Sequence, residues 1–209
     1  MKEFQDFYPQ KNSTFWQNKR VLITGHTGFK GSWLSLWLLN LGAKIIGYSL
    51  KPEELSLFPL LNIESDIENH YDDIRNLENL QKIVLDTKPD IIFHLAAQPL
   101  VRKSYREPVN TWSTNVLGTI NLLSAANLLE NKCVTIFITT DKVYKNREWE
   151  YGYREEDPLG GYDPYSGSKA ASEIAISSWR SSYCGSSKHQ KENILIASAR
   201  AGNVIGGGD

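Results

Sequence analysis

Cysteine is scarce: the 209 residues contain two, Cys133 and Cys184. So few, and so far apart, they define neither a disulfide framework nor a metal-ligand spacing. The four histidines (26, 70, 94 and 189) are scattered, so no metal site is expected. Charge of one sign is not in excess. The formal net charge is -1, which offers no electrostatic foothold to nucleic acid or to an anionic membrane. Long hydrophobic runs are missing. None approaches the ~20 residues that span a bilayer, and the opening "MKEFQDFYPQKNSTFW" lacks the apolar stretch of a signal peptide. Repeats and low-complexity tracts are absent as well. Together these absences predict a cytoplasmic globular protein, and 41% hydrophobic residues suffice for a core.

What the chain does have is alternation. "RVLIT" (20–24), "KIIGYSL" (44–50), "DIIFHLAA" (90–97), "CVTIFITT" (133–140) and "NILIASAR" (193–200) read as short buried strands, and "IENHYDDI" (67–74) as a weaker one. Between them fall helical patterns. In 28–42, Trp33, Trp37 and Leu41 recur four apart beside Leu34 and Leu38, and Gly42 stops the run. Residues 76–89 form a second helix closed by Pro89. Residues 108–130 form a long third one with Pro108 near its start, and 165–183 a fourth. Residues 51–65 are irregular, and 143–164 form a long connection rich in Tyr, Glu, Gly and Pro. Strands alternating with helices predict an α/β fold: a Rossmann-like, doubly wound parallel sheet covered on both faces.

Four stretches are candidates for chemistry. In "TGHTGFKG", Gly25, Gly28 and Gly31 follow the first strand and open the first helix. Glycines there allow a tight turn and let the backbone approach a pyrophosphate, and the helix N-terminus attracts an anion. Lys30 adds a full positive charge. The same glycines could form a turn with no ligand, but their place between strand and helix favours dinucleotide binding. The second strand ends without an acid, Lys51 lies close by, and Glu53 and Glu54 come late, so this motif leaves NAD and NADP both open. In "YSGSK", Tyr165 and Lys169 are four apart and share a helix face. An ammonium beside a phenol favours the phenolate, a base for a hydroxyl proton. In "TTDKVY", a hydroxyl, a carboxylate and an ammonium stand just past a strand end, where open α/β sheets place their sites. The "HLAAQ" stretch (94–98) ends another strand, and Ala96 and Ala97 leave room for a cofactor or simply pack.

"TGHTGFKG", "HLAAQPLVR", "NVLGT", "TTDKVY", "YDPYSGSK" and "RAGNVIGGGD" occur in this order. Together they resemble the extended short-chain dehydrogenase/reductases that act on nucleotide sugars, the epimerase/dehydratase family. The resemblance runs from Phe15 onward and implies NAD as cofactor. It implies that Gly25, Gly28, Phe29, Lys30 and Gly31 line the pyrophosphate, that Asp73 and Ile74 meet the adenine, and that Leu95, Ala96 and Ala97 back the cofactor with Thr114 nearby. It makes Tyr165 and Lys169 the catalytic pair, also in contact with the cofactor. Thr140 then shares the substrate hydroxyl, and Gln98 and Asn203 touch the nucleotide sugar. "FW…KRVLITGHTGFKGSWL" and "NREW…GYRE…GGYDPYS" look like the 4,6-dehydratase branch whose substrate is CDP-glucose.

The reaction so implied oxidises C4, eliminates water across C5–C6 and returns hydride to C6. Such products feed the deoxysugars of bacterial surface polysaccharides, lipopolysaccharide among them. Asp141 would be the acid at the C6 oxygen, which requires a protonated, buried carboxyl. Lys142 would be the C5 base, which requires burial or a neighbouring cation to keep it neutral, or else a charged stabiliser of the C5 enolate. The wider 4,6-dehydratase pattern has Asp-Glu here; this chain has Asp-Lys. An epimerase or reductase of the same superfamily and a non-catalytic NAD-binding fragment are the competing readings. The sequence stops in a loop after its sixth strand, so most of a C-terminal sugar-nucleotide lobe is expected to be missing. The domain reading is a polar lead-in, 1–14, and a dinucleotide-binding domain, 15–209. Helices 108–130 and 165–183 resemble those that pair two copies into a homodimer.

Overall fold

The computed structural model describes residues 14–208; the lead-in before Thr14, and Asp209, lie outside the described residues. Six parallel strands form one sheet in the order β3-β2-β1-β4-β5-β6. They are β1 (Arg20–Thr24), β2 (Lys44–Ser49), β3 (Ile67–Tyr71), β4 (Ile91–His94), β5 (Cys133–Thr140) and β6 (Ile194–Ala201). The order reverses between β1 and β4, so the carboxyl ends of these two strands flank the crevice where such sheets bind ligands. Helices α1 (Phe29–Asn40), α2 (Leu57–Leu61), α3 (Leu77–Thr87), α4 (Val101–Arg106), α5 (Pro108–Trp112), α6 (Gly118–Asn127) and α7 (Pro164–Tyr183) make the connections.

Both sheet faces are buried, which is why the strands read as apolar runs rather than alternating ones. On β1, Val21 and Ile23 point into one core with Leu38, Ala43, Ile45 and Phe58. Leu22 points into the other with Leu80, Val84, Leu122, Phe137 and Ile176. That second core packs α3, α6 and α7 against one face and holds α7 at a fixed height over β5.

Three expectations change. The tryptophans of α1 do not face the sheet: Trp33 is 39% and Trp37 41% exposed, while Gly31, Ser32, Ser35 and Leu38 are buried. The helix is apolar nearly all round, so spacing alone could not choose its inner face. The long helix expected at 108–130 is α5 and α6 joined by a π-helical segment, Ser113–Leu117, and α6 ends at Asn127. The extra residue of that turn carries no propensity signal. Two short helices were not foreseen: α4, in the stretch after "HLAAQ", and α2, in the irregular 51–65.

Candidate active site

At the β1–α1 turn the backbone approaches β4 so closely that a side chain has no room. Gly25 has φ +74°, and a Cβ there would sit 2.7 Å from the Ala96 nitrogen and 2.9 Å from the Leu95 carbonyl carbon. A Cβ on Gly31 would lie 2.1 Å from the Gly25 carbonyl oxygen. Gly28 stands at the N-cap of α1, with no side chain capping the first turn. The open N–H groups, the glycine floor and the half-buried Lys30 suit a pyrophosphate. Burial holds the Lys30 ammonium below the usual lysine range. Phe29, half-buried, lies beside Gly206. Leu95, Ala96 and Ala97 follow β4 directly; the Ala96 N–H donates to Thr24 Oγ1 at 3.3 Å.

Asp73 and Ile74 stand just past β3. Asp73 binds Arg75 through both carboxylate oxygens, at 2.5 and 2.9 Å, and this pairing holds its carboxyl below the usual range. Arg75 in turn donates to Asn110 Oδ1 at 2.9 Å. The Ile74 side chain is buried against Gly118, and its carbonyl accepts from Asn121 Nδ2 at 3.1 Å. Thr114 falls in the π-helical segment. Its neighbour Asn115, not singled out in the sequence, is buried at the centre of the site's frame. Asn115 Oδ1 accepts from the Gln98 N–H at 2.8 Å, and its Nδ2 donates to the Gln98 carbonyl at 3.2 Å and to Ser168 Oγ at 2.9 Å. A lone buried Asn in "NVLGT" was the available signal. The Gln98 side chain is buried, donating to the Leu100 carbonyl and Thr111 Oγ1 and accepting from the Leu100 N–H.

The reacting groups come together at the end of β5. Asp163 caps α7, accepting from the Ser166 N–H at 2.9 Å, and so places Tyr165 in the first turn and Lys169 one turn on. Lys169 is 8% exposed and donates to the Ile138 carbonyl at 3.3 Å. Burial, helped by Lys30, pulls its ammonium down to about 8, with Glu173 opposing. Burial pushes the Tyr165 phenol up; the Thr140 hydroxyl beside it pulls the other way, and Asp141 and Asp163 add to the rise. The expected lowering of Tyr165 by Lys169 is therefore not the dominant effect. Thr140 Oγ1 donates to Asp141 Oδ1 at 3.1 Å and accepts from the Lys142 N–H at 3.3 Å. Lys142 Nζ reaches Asp141 Oδ1 at 3.4 Å and Asn203 Oδ1 at 3.1 Å. The burial expected of this pair is absent: the side chains of Asp141 and Lys142 are 57% and 41% exposed. Thr139 and Thr140 at the end of β5 are still buried, and the chain reaches the surface only at Asp141 and Lys142.

A buried ammonium costs stability, and this gives a pH-dependent expectation. Lys169 binds its proton less tightly folded, near 8, than unfolded, near ~10.4. The unfolded chain then holds more protons between these values, so this group's penalty is full below about 8 and fades as pH rises toward ~10. Lys169→Met is expected to melt higher than the parent at pH 7, with the gap closing by pH 10. Thermal denaturation at both values checks it; a gap that widens with pH contradicts the sign.

Fold and site together define a dinucleotide-binding α/β domain of the short-chain dehydrogenase/reductase type. The profile of the GDP-mannose 4,6 dehydratase family matches residues 22–186. A CDP-glucose 4,6-dehydratase of Salmonella typhimurium is 51% identical over 199 residues, 95% of this chain and 55% of that protein. A CDP-paratose 2-epimerase of Salmonella typhi is 33% identical, covering 74% of this chain and 51% of its own length. Among solved structures, a dTDP-glucose 4,6-dehydratase from Streptomyces venezuelae with NAD and DAU bound matches with TM-score 0.73 and 25% identity, over 87% of this chain and 55% of that one. The chain belongs to the GDP-mannose 4,6 dehydratase family, and it spans about half the length of the curated relatives it matches. Among the described residues no helix is long and apolar enough to cross a membrane.

Proposed function

We propose that the full-length protein carrying this chain dehydrates CDP-glucose to the 4-keto-6-deoxy sugar nucleotide, with NAD as its recycled redox cofactor. The observation that carries this reading is the meeting of Thr140, Asp141 and Lys142 at the tip of β5 with Tyr165 and Lys169 on α7. Its nucleotide rests on the 51% identity to a CDP-glucose 4,6-dehydratase. The glycine floor against Ala96 and the uncapped α1 fit the cofactor's pyrophosphate, with Phe29 and Lys30 beside it, Asp73 and Ile74 toward the adenine and Thr114 near the cofactor. When bound, NAD supplies a hydride acceptor for C4 and a hydride donor for C6.

The chain's own groups supply the rest. Tyr165 removes the C4 hydroxyl proton, and Thr140 holds that hydroxyl. Lys169, charged below about 8, favours the phenolate. The C4 ketone acidifies C5–H; Lys142 faces that hydrogen, and Asp141 protonates the departing C6 hydroxyl. In their exposed ion pair the proton sits on Lys142; its transfer to Asp141 as bound substrate displaces water leaves an amine to take the C5 proton and a carboxylic acid for the C6 oxygen. Asn203, bonded to Lys142, borders the same pocket.

Incubation of the full-length protein with CDP-glucose and NAD should yield a 4-keto-6-deoxy product that absorbs in alkali. Absence of that product refutes the reading; a product from dTDP- or GDP-sugars alone keeps the chemistry and moves the nucleotide. In deuterium oxide, loss of C5 exchange with C4 oxidation retained in Lys142→Ala makes Lys142 the base; retained exchange makes it an enolate stabiliser. Homodimerisation is part of the same proposal, supported by the exposed Val109, Trp112, Leu117 and Ile174 on the two helical segments concerned. A monomeric mass in sedimentation would remove it. Cytoplasmic placement is also proposed, consistent with both cysteines being free thiols.

A further inference from the structure

The long connection between β5 and α7 begins beside Lys142 and ends beside Tyr165, so reacting residues stand at both of its ends. Its own backbone closes it into a loop. The Lys145 N–H donates to the Pro158 carbonyl at 2.8 Å, the Gly160 N–H to the Val143 carbonyl at 2.8 Å, and Tyr144 and Leu159 form an antiparallel bridge. Within it, Tyr144 stacks on Tyr153 at 5.2 Å, Trp149 packs tilted against Tyr153 at 5.7 Å, and Arg147 lies over Trp149 at 5.2 Å.

One side chain from outside fastens this loop. Arg200 pairs in register with Thr139 across β5 and β6. Its Nη1 donates to the Tyr144 hydroxyl at 2.7 Å, to the Glu155 carbonyl at 3.3 Å and to Glu155 Oε2 at 3.2 Å, and its guanidinium lies 5.0 Å from the Tyr144 ring centre. Nη2 donates to Glu173 Oε2 at 3.0 Å. Glu173 is buried on α7, one turn beyond Lys169, and also accepts from Ser198 Oγ at 3.0 Å and from Thr139 Oγ1. Burial alone would raise its carboxyl, but Arg200, Thr139 and Ser198 outweigh that and hold it below the usual range. A buried carboxylate so satisfied is a fixed point in the fold. Glu173 therefore ties α7, β5 and β6 together, and Arg200 extends that tie to the loop.

We propose that Glu173 and Arg200 are positioning residues for the reaction: Glu173 orients the guanidinium of Arg200, and Arg200 holds the 144–159 loop where it fixes Lys142 and Tyr165 relative to each other and completes the sugar-nucleotide side of the pocket. This rests on the proposed dehydratase reading for its substrate, but the clamp itself is a statement about the loop. Arg fits because its planar fork can serve Glu173 and the loop at once, which a lysine cannot.

The test uses the full-length protein and four variants. Tyr144→Phe removes one bond of the clamp, Arg200→Lys keeps the charge but not the fork, Arg200→Met removes both, and Arg200→Met with Glu173→Gln spares the fold an unpaired buried carboxylate. Acrylamide quenching of Trp149, isolated by subtracting the matching Trp149→Phe proteins, reports the loop. KM and kcat for CDP-glucose and the Kd for NAD report the site. Expected is a rise of about twofold or more in Trp149 quenching and about tenfold in KM, with NAD affinity within about twofold. Arg200→Lys is expected to regain the melting temperature but not the KM. Unchanged quenching in a folded variant overturns the clamp, and so does a fall in NAD affinity that parallels KM, which would mean the whole domain has loosened. If the parent makes no product from CDP-glucose, the functional reading fails, and the quenching arm still decides the clamp by itself.

Discussion

Tyr165→Phe is expected to lower turnover of CDP-glucose by ~10²–10⁴-fold, the range for removing a general base, while NAD affinity changes little. The ring stays, so packing at the first turn of α7 is preserved; only the hydroxyl beside Thr140 is lost. The pH profile of the parent should carry the same signature. Burial raises the phenol, so turnover climbs as pH rises and the proton becomes easier to remove. Lys169 limits that climb, because near 8 it loses the charge that favours the phenolate. Turnover should therefore rise from pH 6 and flatten or fall beyond about 8. Single-turnover kinetics on the variant checks the first claim. Retention of more than about a tenth of the parent rate would hand the proton to another group.

Gly25→Ala should unfold or severely destabilise the domain, whereas Gly28→Ala should be mild. The contrast lies in the backbone. At φ +74°, alanine suffers the left-handed penalty of ~1–2 kcal/mol. Its Cβ also meets three backbone atoms of Leu95 and Ala96 within 3 Å. Backbone cannot swing aside as a side chain can, so β1 and β4 must part. A total of about 3 kcal/mol or more is expected, which lowers Tm by roughly 6–12 °C in a chain of this size. Gly28 has φ -76° and its nearest neighbour would be 3.4 Å away, an ordinary contact. Melting curves of the two variants decide this; equal and small losses would mean the close approach at Gly25 relaxes cheaply. NAD titration of whatever remains folded should show both losing affinity, since both positions border the pyrophosphate cradle.

The strands were legible because apolar runs bounded by Gly, Pro and Asn leave few other assignments, and β5 was read with its observed limits, Cys133–Thr140. The glycine turn was legible for the same reason that it is sterically necessary. Two kinds of information were not. One is which face of an element looks inward when both are apolar, as with Trp33 and Trp37 on α1. The other is long-range pairing. Glu173 and Arg200 are 27 residues apart, and nothing in "KAASE" or "SARAG" announces that they meet. The exposure of Asp141 and Lys142 belongs to this second kind. A strand end reads the same whether its tip is covered or bare, and what covers it lies elsewhere in the chain.

Strand β6 has an implication for how the site comes into being. It is made after the other five described strands, and it pairs with β5 at eight positions while delivering Ser198 and Arg200 to Glu173. A nascent chain that has reached Tyr183 already contains Thr140, Asp141, Lys142, Tyr165 and Lys169. Until β6 docks, however, Glu173 is a carboxylate without its cation, and the loop that joins the two groups of residues has no anchor. Assembly of the site is thus deferred until β6 has docked, so that a nascent chain carries these reactive side chains before they are aligned.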